Sequence, residues 1–171
     1  MKASKIILPM ILIAALCLSW FSFLSGTIST YADYRVCIGE AEKSIEAGLY
    51  EQGIEYYKKS LEFKLSEGTY KKIKEIYDKL YYEEHTAFIR NLYLEDMAVA
   101  SEAFPKNALF WEEQIKLNID ALNYSKAYTT VKQALNFGAS SKTLDKLYNQ
   151  LLYMVRTDYK LYTDYKTALN G

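Results

Sequence analysis

The sequence predicts an all-α fold of antiparallel helix pairs, preceded by one transmembrane helix. After residue 31, apolar residues recur three and four positions apart, as at Ile54, Tyr57 and Leu61, and no window alternates with the period of two that marks a strand. Before that point, the nineteen residues of the run 6–24 carry no charge. A chain of 171 residues that is half hydrophobic has room for one domain and a short appended segment.

The N-terminal run 6–24 predicts a membrane anchor. As a helix it would reach roughly 28 Å, close to the ~30 Å hydrocarbon core of a bilayer. Lys2 and Lys5 precede the run and no basic residue follows it within 25–33, so we expect a single-pass protein of the cell membrane with a cytoplasmic N-terminus and an extracytoplasmic helical domain. The alternative is a signal peptide cleaved near Ala32, which would release a secreted protein.

The helical region contains an internal repeat. Residues 48–61 and 122–135 align at an offset of 74 positions. Small residues coincide in two aligned pairs, where the lack of side-chain bulk lets a facing helix approach to the short end of the usual range of about 8–10 Å. The aligned pairs are Tyr50 with Tyr124, Gly53 with Ala127, Ser60 with Ala134 and Leu61 with Leu135.

These positions resemble the tetratricopeptide repeat (TPR), a helix-turn-helix unit of about 34 residues. In that pattern an aromatic residue lies in the turn, and small residues lie where the two helices cross. The matching residues are Trp111 in the first helix, Tyr124 in the turn, Ala127 and Ala134 in the second helix, and Pro105 at the end of the preceding unit. The earlier copy keeps Tyr50, Gly53, Tyr57 and Ser60, with Cys37 in place of the tryptophan and Leu65 in place of the proline.

The resemblance implies a TPR-like stack of antiparallel helix pairs, an α-solenoid. The expected domains are a cytoplasmic stub with the transmembrane helix over 1–30, the helical domain over 31–162 and a tail over 163–171. The expected units are 34–67, 68–107 and 108–141, followed by a capping helix over 143–162. The layout is also similar to the N-terminal region of bacterial membrane proteins in which helical repeats precede Trp-Gly (WG) repeats, although this sequence contains no such repeat.

The residue inventory predicts no enzyme, no cofactor and no metal site. Twenty-one basic residues balance twenty-one acidic ones, so no net field attracts nucleic acid. His85 is the only histidine, which excludes a site built on two histidines. The sequence has no Gly-rich phosphate loop, no Gly-x-Ser-x-Gly and no Cys-x-x-Cys. We therefore expect neither catalytic residues nor a small-molecule substrate.

The resemblance also implies a partner-binding surface, because first-helix side chains face the concave side of such a stack. Charge runs around Lys74 and over 112–116 have two interpretations: a solvated face with i,i+4 pairs, or the lining of this groove. The predicted function is a scaffold or adaptor that binds a protein or peptide, and the alternative is a structural spacer, or an N-terminal fragment that presents a further domain such as WG repeats. The expected concave residues are Arg35, Ile38, Glu42, Ile45, Leu109, Glu112, Glu113, Lys116, Ile119 and Asp120.

Overall fold

The structure is a computed structural model that describes the backbone of residues 29–170 and the side chains of residues 29–157. The predicted anchor over 6–24 lies outside the described residues. Among the helices that the structure describes, none combines the length and the apolar character needed to cross a bilayer.

The prediction of an all-α fold is confirmed, since every regular element in residues 29–170 is a helix. Helix α7 is longer than the expected capping helix over 143–162 and includes most of the expected tail, because no glycine or proline interrupts the sequence between Lys142 and Asn170. The helices are α1 over 29–46, α2 Tyr50–Phe63, α3 Glu67–Glu84, α4 Ala87–Ala103, α5 Ala108–Asp120, α6 Tyr124–Asn136 and α7 Lys142–Asn170.

Short polar side chains fix where four of the helices begin. The first backbone N–H groups of a helix have no partner within it, and a Ser, Thr or Asn oxygen just before the helix can accept from one of them. The four accepting atoms, each with its donor, are Ser66 Oγ with Thr69 N (3.3 Å), Thr86 Oγ1 with Ile89 N (3.2 Å), Asn107 Oδ1 with Leu109 N (3.1 Å) and Ser141 Oγ with Leu144 N (2.9 Å).

The chain forms two compact units, with the boundary after Thr69. In the first unit, α1 and α2 approach closely at Gly53. A Cβ added there would collide with the Ile45 side chain and would lie 3.4 Å from the carbonyl oxygen of Ala41. Ile54 and Tyr57 of α2 are buried as well. As predicted, α1 and α2 lie so close together at Gly53 that no side chain fits between them.

In the second unit, α5 packs against α4, α6 and α7, and α6 packs against α7. Ala127 and Ala134 are completely buried on α6, as their small-residue spacing predicts. The Trp111 ring stacks on Phe137 at a centroid distance of 5.9 Å, and its Nε1–H donates to the Pro105 carbonyl at 2.9 Å. The core of this unit consists of Trp111, Ile115, Ala127, Val131, Ala134, Ala139, Leu144 and Leu151.

The internal repeat extends to the hydrogen bonds of the helix ends. At the end of α1, Gly48 N donates to Ile45 O (3.0 Å) and Leu49 N to Ser44 O (2.8 Å). The same two bonds recur 74 residues later, where Leu122 N donates to Ile119 O (2.8 Å) and Asn123 N to Asn118 O (2.8 Å). This pair of bonds is the Schellman motif, which satisfies the last carbonyls of a helix and needs one residue with positive φ.

Leu122 occupies the positive-φ position of its motif with φ of 59°, whereas Gly48 has 77° and Gly138, at the end of α6, has 80°. Glycine adopts this region without cost, but the Cβ of any other residue meets a carbonyl oxygen there. The Leu122 side chain is also 72% exposed, so packing offsets little of that cost.

Leu122→Gly is therefore expected to raise the free energy of unfolding by about 1 kcal/mol, since it removes the backbone strain and almost no buried surface. The measurement is urea denaturation followed by circular dichroism. The matched controls are Gly48→Ala and Gly138→Ala, which should each lower stability by about 1 kcal/mol; no atom lies within 4 Å of a Cβ added at either glycine, so any loss comes from the backbone. A Leu122→Gly protein that is less stable than wild type would show that the backbone at Leu122 is not strained.

Candidate partner-binding face on α3 and α5

In the first unit, the expected concave residues of α1 do not share one environment. Arg35 and Glu42 are exposed, whereas Ile38 and Ile45 are half-buried. The Ile45 side chain occupies the space over Gly53, so it belongs to the α1–α2 interface. The two exposed side chains at these positions of α1 are therefore both charged, and the two isoleucines are only partly exposed.

In the second unit, two of the six expected residues are exposed, namely Lys116 and Asp120. Leu109 is half-buried, and Ile119 packs against the core. Glu112 and Glu113 are buried, which requires partners because an isolated carboxylate is costly to remove from water. Glu112 accepts a hydrogen bond from the Ser141 hydroxyl, the same group that caps α7.

Glu113 lies at the centre of a charge network that we call the α3–α5 network: Lys74, Asp78, Tyr93, Glu113 and Lys116. Glu113 Oε1 accepts from Lys116 Nζ at 2.7 Å and lies 3.7 Å from Lys74 Nζ. Lys74 Nζ in turn donates to Asp78 Oδ2 at 2.6 Å. Two ammonium groups and two carboxylates therefore balance one another across α3 and α5.

Tyr93 joins α4 to this network. Its hydroxyl donates to Asp78 Oδ1 at 2.6 Å and lies 3.4 Å from Glu113 Oε2. Its ring stacks on Tyr77 with centroids 5.0 Å apart and an angle of 13° between the planes. Tyr77 itself donates to the buried carboxylate of Asp96 at 2.8 Å. These contacts fix the rotation of α3, α4 and α5 about their own axes.

Burial raises the pKa of Tyr93 well above its usual range, and the charge of Glu113 and the hydrogen bond to Asp78 raise that pKa further. The phenol therefore stays protonated in the folded protein and remains a donor. A neutral donor between two carboxylates lowers the repulsion between them and replaces the water that they lose on folding.

The network presents two groups to solvent, because the side chains of Lys116 and Asp78 are each 46% exposed. Those of Lys74 and Glu113 are only 15% and 10% exposed. The contact with Glu113 uses one of the three N–H groups of the Lys116 ammonium. The ammonium can therefore also donate to a carbonyl or carboxylate outside the chain.

Only part of this face is predictable from the sequence. Glu113 and Lys116 were expected on the concave side, whereas the charge run that contains Lys74 had two interpretations, a solvated face or the lining of the groove. The Lys74–Asp78 pair has the i,i+4 spacing of a helical ion pair. Tyr93 was missed, and its sequence context carries no signal, because one tyrosine among seventeen does not indicate which one reaches a carboxylate on a neighbouring helix.

Tyr93→Phe is expected to lower the free energy of unfolding by about 1–3 kcal/mol at neutral pH, since two carboxylates lose a donor while the ring remains. Above pH 10.0, the usual pKa of the phenol, the unfolded chain releases the Tyr93 proton and the folded protein keeps it. The contribution of Tyr93 to stability is therefore complete below pH 10 and is lost as pH rises above it. Urea denaturation at several pH values measures the difference between the two proteins.

The matched control is Tyr82→Phe, which removes the hydroxyl of a residue that is 89% exposed and should leave stability unchanged. The difference in free energy of unfolding between wild type and Tyr93→Phe should become smaller above pH 10. A gap that is absent at neutral pH, or that widens above pH 10, would show that the hydroxyl is not held as described.

Comparison with known proteins supports the fold. No family model matches the sequence, and no curated protein matches it. Among solved structures, the Sgt2 TPR domain from Aspergillus fumigatus matches with a TM-score of 0.50 and 12% identity, over 74% of this chain and 82% of that chain.

Two further solved structures are similar. The Arabidopsis OM64 TPR domain has a TM-score of 0.49 and 12% identity, over 71% of this chain and 96% of that one. The first TPR of Spaghetti (RPAP3), solved with the HSP90 peptide SRMEEVD, has a TM-score of 0.48 and 11% identity, over 73% and 94%. Identities this low bear on the fold alone. Together with the buried small residues at the helix crossings, the match to the Sgt2 domain shows that the chain has a TPR-like, all-α fold.

Proposed function

We propose that this chain is a protein-binding scaffold, and that α3 and α5 form one of its binding faces. The observation that carries the proposal is the pair of solvent-facing groups Lys116 and Asp78, which a largely buried network holds in place. A side chain that is already fixed loses less conformational entropy when a partner binds. The face therefore suits a protein segment with a carboxylate opposite Lys116 and a cation opposite Asp78.

Three features support binding rather than catalysis. The charged groups of the network pair with one another, so each carboxylate is held by an ammonium group of the same network. The fold is that of TPR domains, and a fold alone is an argument by analogy. Ile119 packs against the core, and the exposed groups Asp78, Lys116 and Asp120 are charged, so this face offers mainly electrostatic contacts.

A photo-crosslinking amino acid at Lys116 or Asp120 is expected to capture a specific protein in cells, because both positions are exposed on this face. The same probe at Gln133, an exposed position on α6, is the matched control and should not capture that protein. Lys116→Glu should reduce capture from Asp120 by about tenfold or more, since reversal turns an attractive contact into a repulsive one.

Circular dichroism of Lys116→Glu would show that the helices remain folded. Equal capture from all three positions, or none from Lys116 and Asp120, would contradict a binding face on α5. The absence of any partner would favour the structural spacer instead.

We further propose that residues 6–24 anchor the protein in the cell membrane with the helical domain on the extracytoplasmic side. The uncharged run and the basic residues before it support this proposal. The protein is expected to stay in the membrane pellet after carbonate extraction, whereas Ala14→Arg combined with Ala15→Arg should release it, because charge at the centre of a span is costly. Thr27→Arg, which lies outside the run, is the control and should leave the protein in the membrane pellet.

Protease added to intact cells should digest the helical domain, because we expect this domain to be extracytoplasmic. A domain that survives the protease would instead be cytoplasmic and would contradict the proposed orientation. Recovery of the wild-type protein in the medium, with a new N-terminus near Ala32, would contradict the anchor and support signal-peptide cleavage.

A further inference from the structure

The outer side of α4 carries an apolar stripe that the core does not use. Phe88, Leu92 and Val99 are 66%, 36% and 49% exposed. Their spacing of four and seven residues places them on one side of the helix. At about 100° per residue, the members of the stripe lie about 100–140° around the helix from Tyr93, which faces the α3–α5 network. The stripe is therefore separate from the binding face proposed above.

The stripe is firmly held. The Thr86 cap fixes the first turn of α4, where Phe88 lies. Tyr93 and Met97, on the opposite side, are almost completely buried, so α4 cannot rotate to bury the stripe without exposing them. Exposed apolar residues are usually scattered singly over a protein surface. Three large ones in line on one helix are instead typical of a docking surface for another helix.

Acidic residues border the stripe on one flank. Glu95 and Glu102 are both exposed, and each lies three residues after a member of the stripe, Leu92 and Val99 respectively. None of the exposed residues of α4 is basic, and Arg90 is half-buried on a different side of the helix. The surface thus combines an apolar centre with a negative edge.

We propose that this outer side of α4 binds an amphipathic helix of a partner protein, with apolar residues three and four positions apart and Lys or Arg along one flank. The apolar residues would cover Phe88, Leu92 and Val99, and the basic flank would lie against Glu95 and Glu102. A second copy of the chain that docks antiparallel through the same side would place the two acidic edges together, and an anionic lipid surface would be repelled by them.

The experiment selects binders for the immobilised full chain from a displayed library of helical peptides in which both the apolar and the flanking positions vary. Enriched peptides are expected to carry apolar residues at three and four spacing with Lys or Arg on one flank. Phe88→Ala combined with Val99→Ala should weaken an enriched peptide by about tenfold or more, as truncation of central apolar anchors does. Leu135→Ala, at a half-exposed leucine of α6, is the matched control and should leave binding unchanged.

Charge reversal provides the specific readout. In the variant Glu95→Lys with Glu102→Lys, the library should instead yield peptides with Asp or Glu on the flank. Lys116→Glu should leave the selection unchanged, so failure here is distinguishable from failure of the α3–α5 face. Circular dichroism of each variant would exclude unfolding as the cause of a loss.

Three outcomes would overturn the proposal. The first is a selection without flank preference, or one that the Phe88 and Val99 substitutions do not affect. The second is binding of phosphatidylglycerol vesicles that depends on Phe88, which would identify a membrane surface instead. The third is self-association, measured by sedimentation, that Phe88→Ala abolishes, because the occupant would then be a second copy.

Discussion

Close approach of helices at positions with almost no side chain is the constraint on which the rest of the structure depends. Gly53 on α2 leaves no room for a Cβ beside Ile45, and Ala127 and Ala134 on α6 are completely buried. Larger residues there would push the helices apart, because protein interiors are packed too densely to absorb extra atoms. The Trp111 ring can stack on Phe137 only while α5 and α6 keep this separation.

Helix α5 carries this constraint into the polar part of the second unit. Its apolar side packs on α6 and α7, while the Gln114 amide donates to Met97 O (3.1 Å) and Ser101 Oγ (2.7 Å) of α4. Since buried polar groups are costly unless they are paired, each such bond permits few rotations of α5. Glu113 is thereby held where Lys74 and Tyr93 can reach it. The charge network is a consequence of packing as much as a cause of it.

The sequence was sufficient to predict the helices and the positions where they cross closely. Apolar residues three and four positions apart mark a helix, and small residues mark a close crossing, so both signals can be seen in a short stretch of sequence. It was not sufficient for the network, because contacts among Lys74, Tyr93 and Glu113 depend on how three helices rotate. The same limit explains Ile45 and Ile119. A repeat register assigns both to the open face, yet the Ile45 side chain lies over Gly53 and Ile119 packs against the core of the second unit.

Helix α4 connects the two surfaces of the second unit. The Tyr93 hydroxyl and the Tyr77 ring fix one side of α4, and a helix that cannot rotate presents its opposite side in a fixed orientation as well. The buried polar contacts therefore also determine where Phe88 and Val99 point, although these residues lie on a different side of α4 from Tyr93. Charges set the orientation and rate of an encounter, whereas apolar anchors determine how long a partner stays. A scaffold with a charged face on α3 and α5 and an apolar stripe on a different side of α4 would have room for two partners at once.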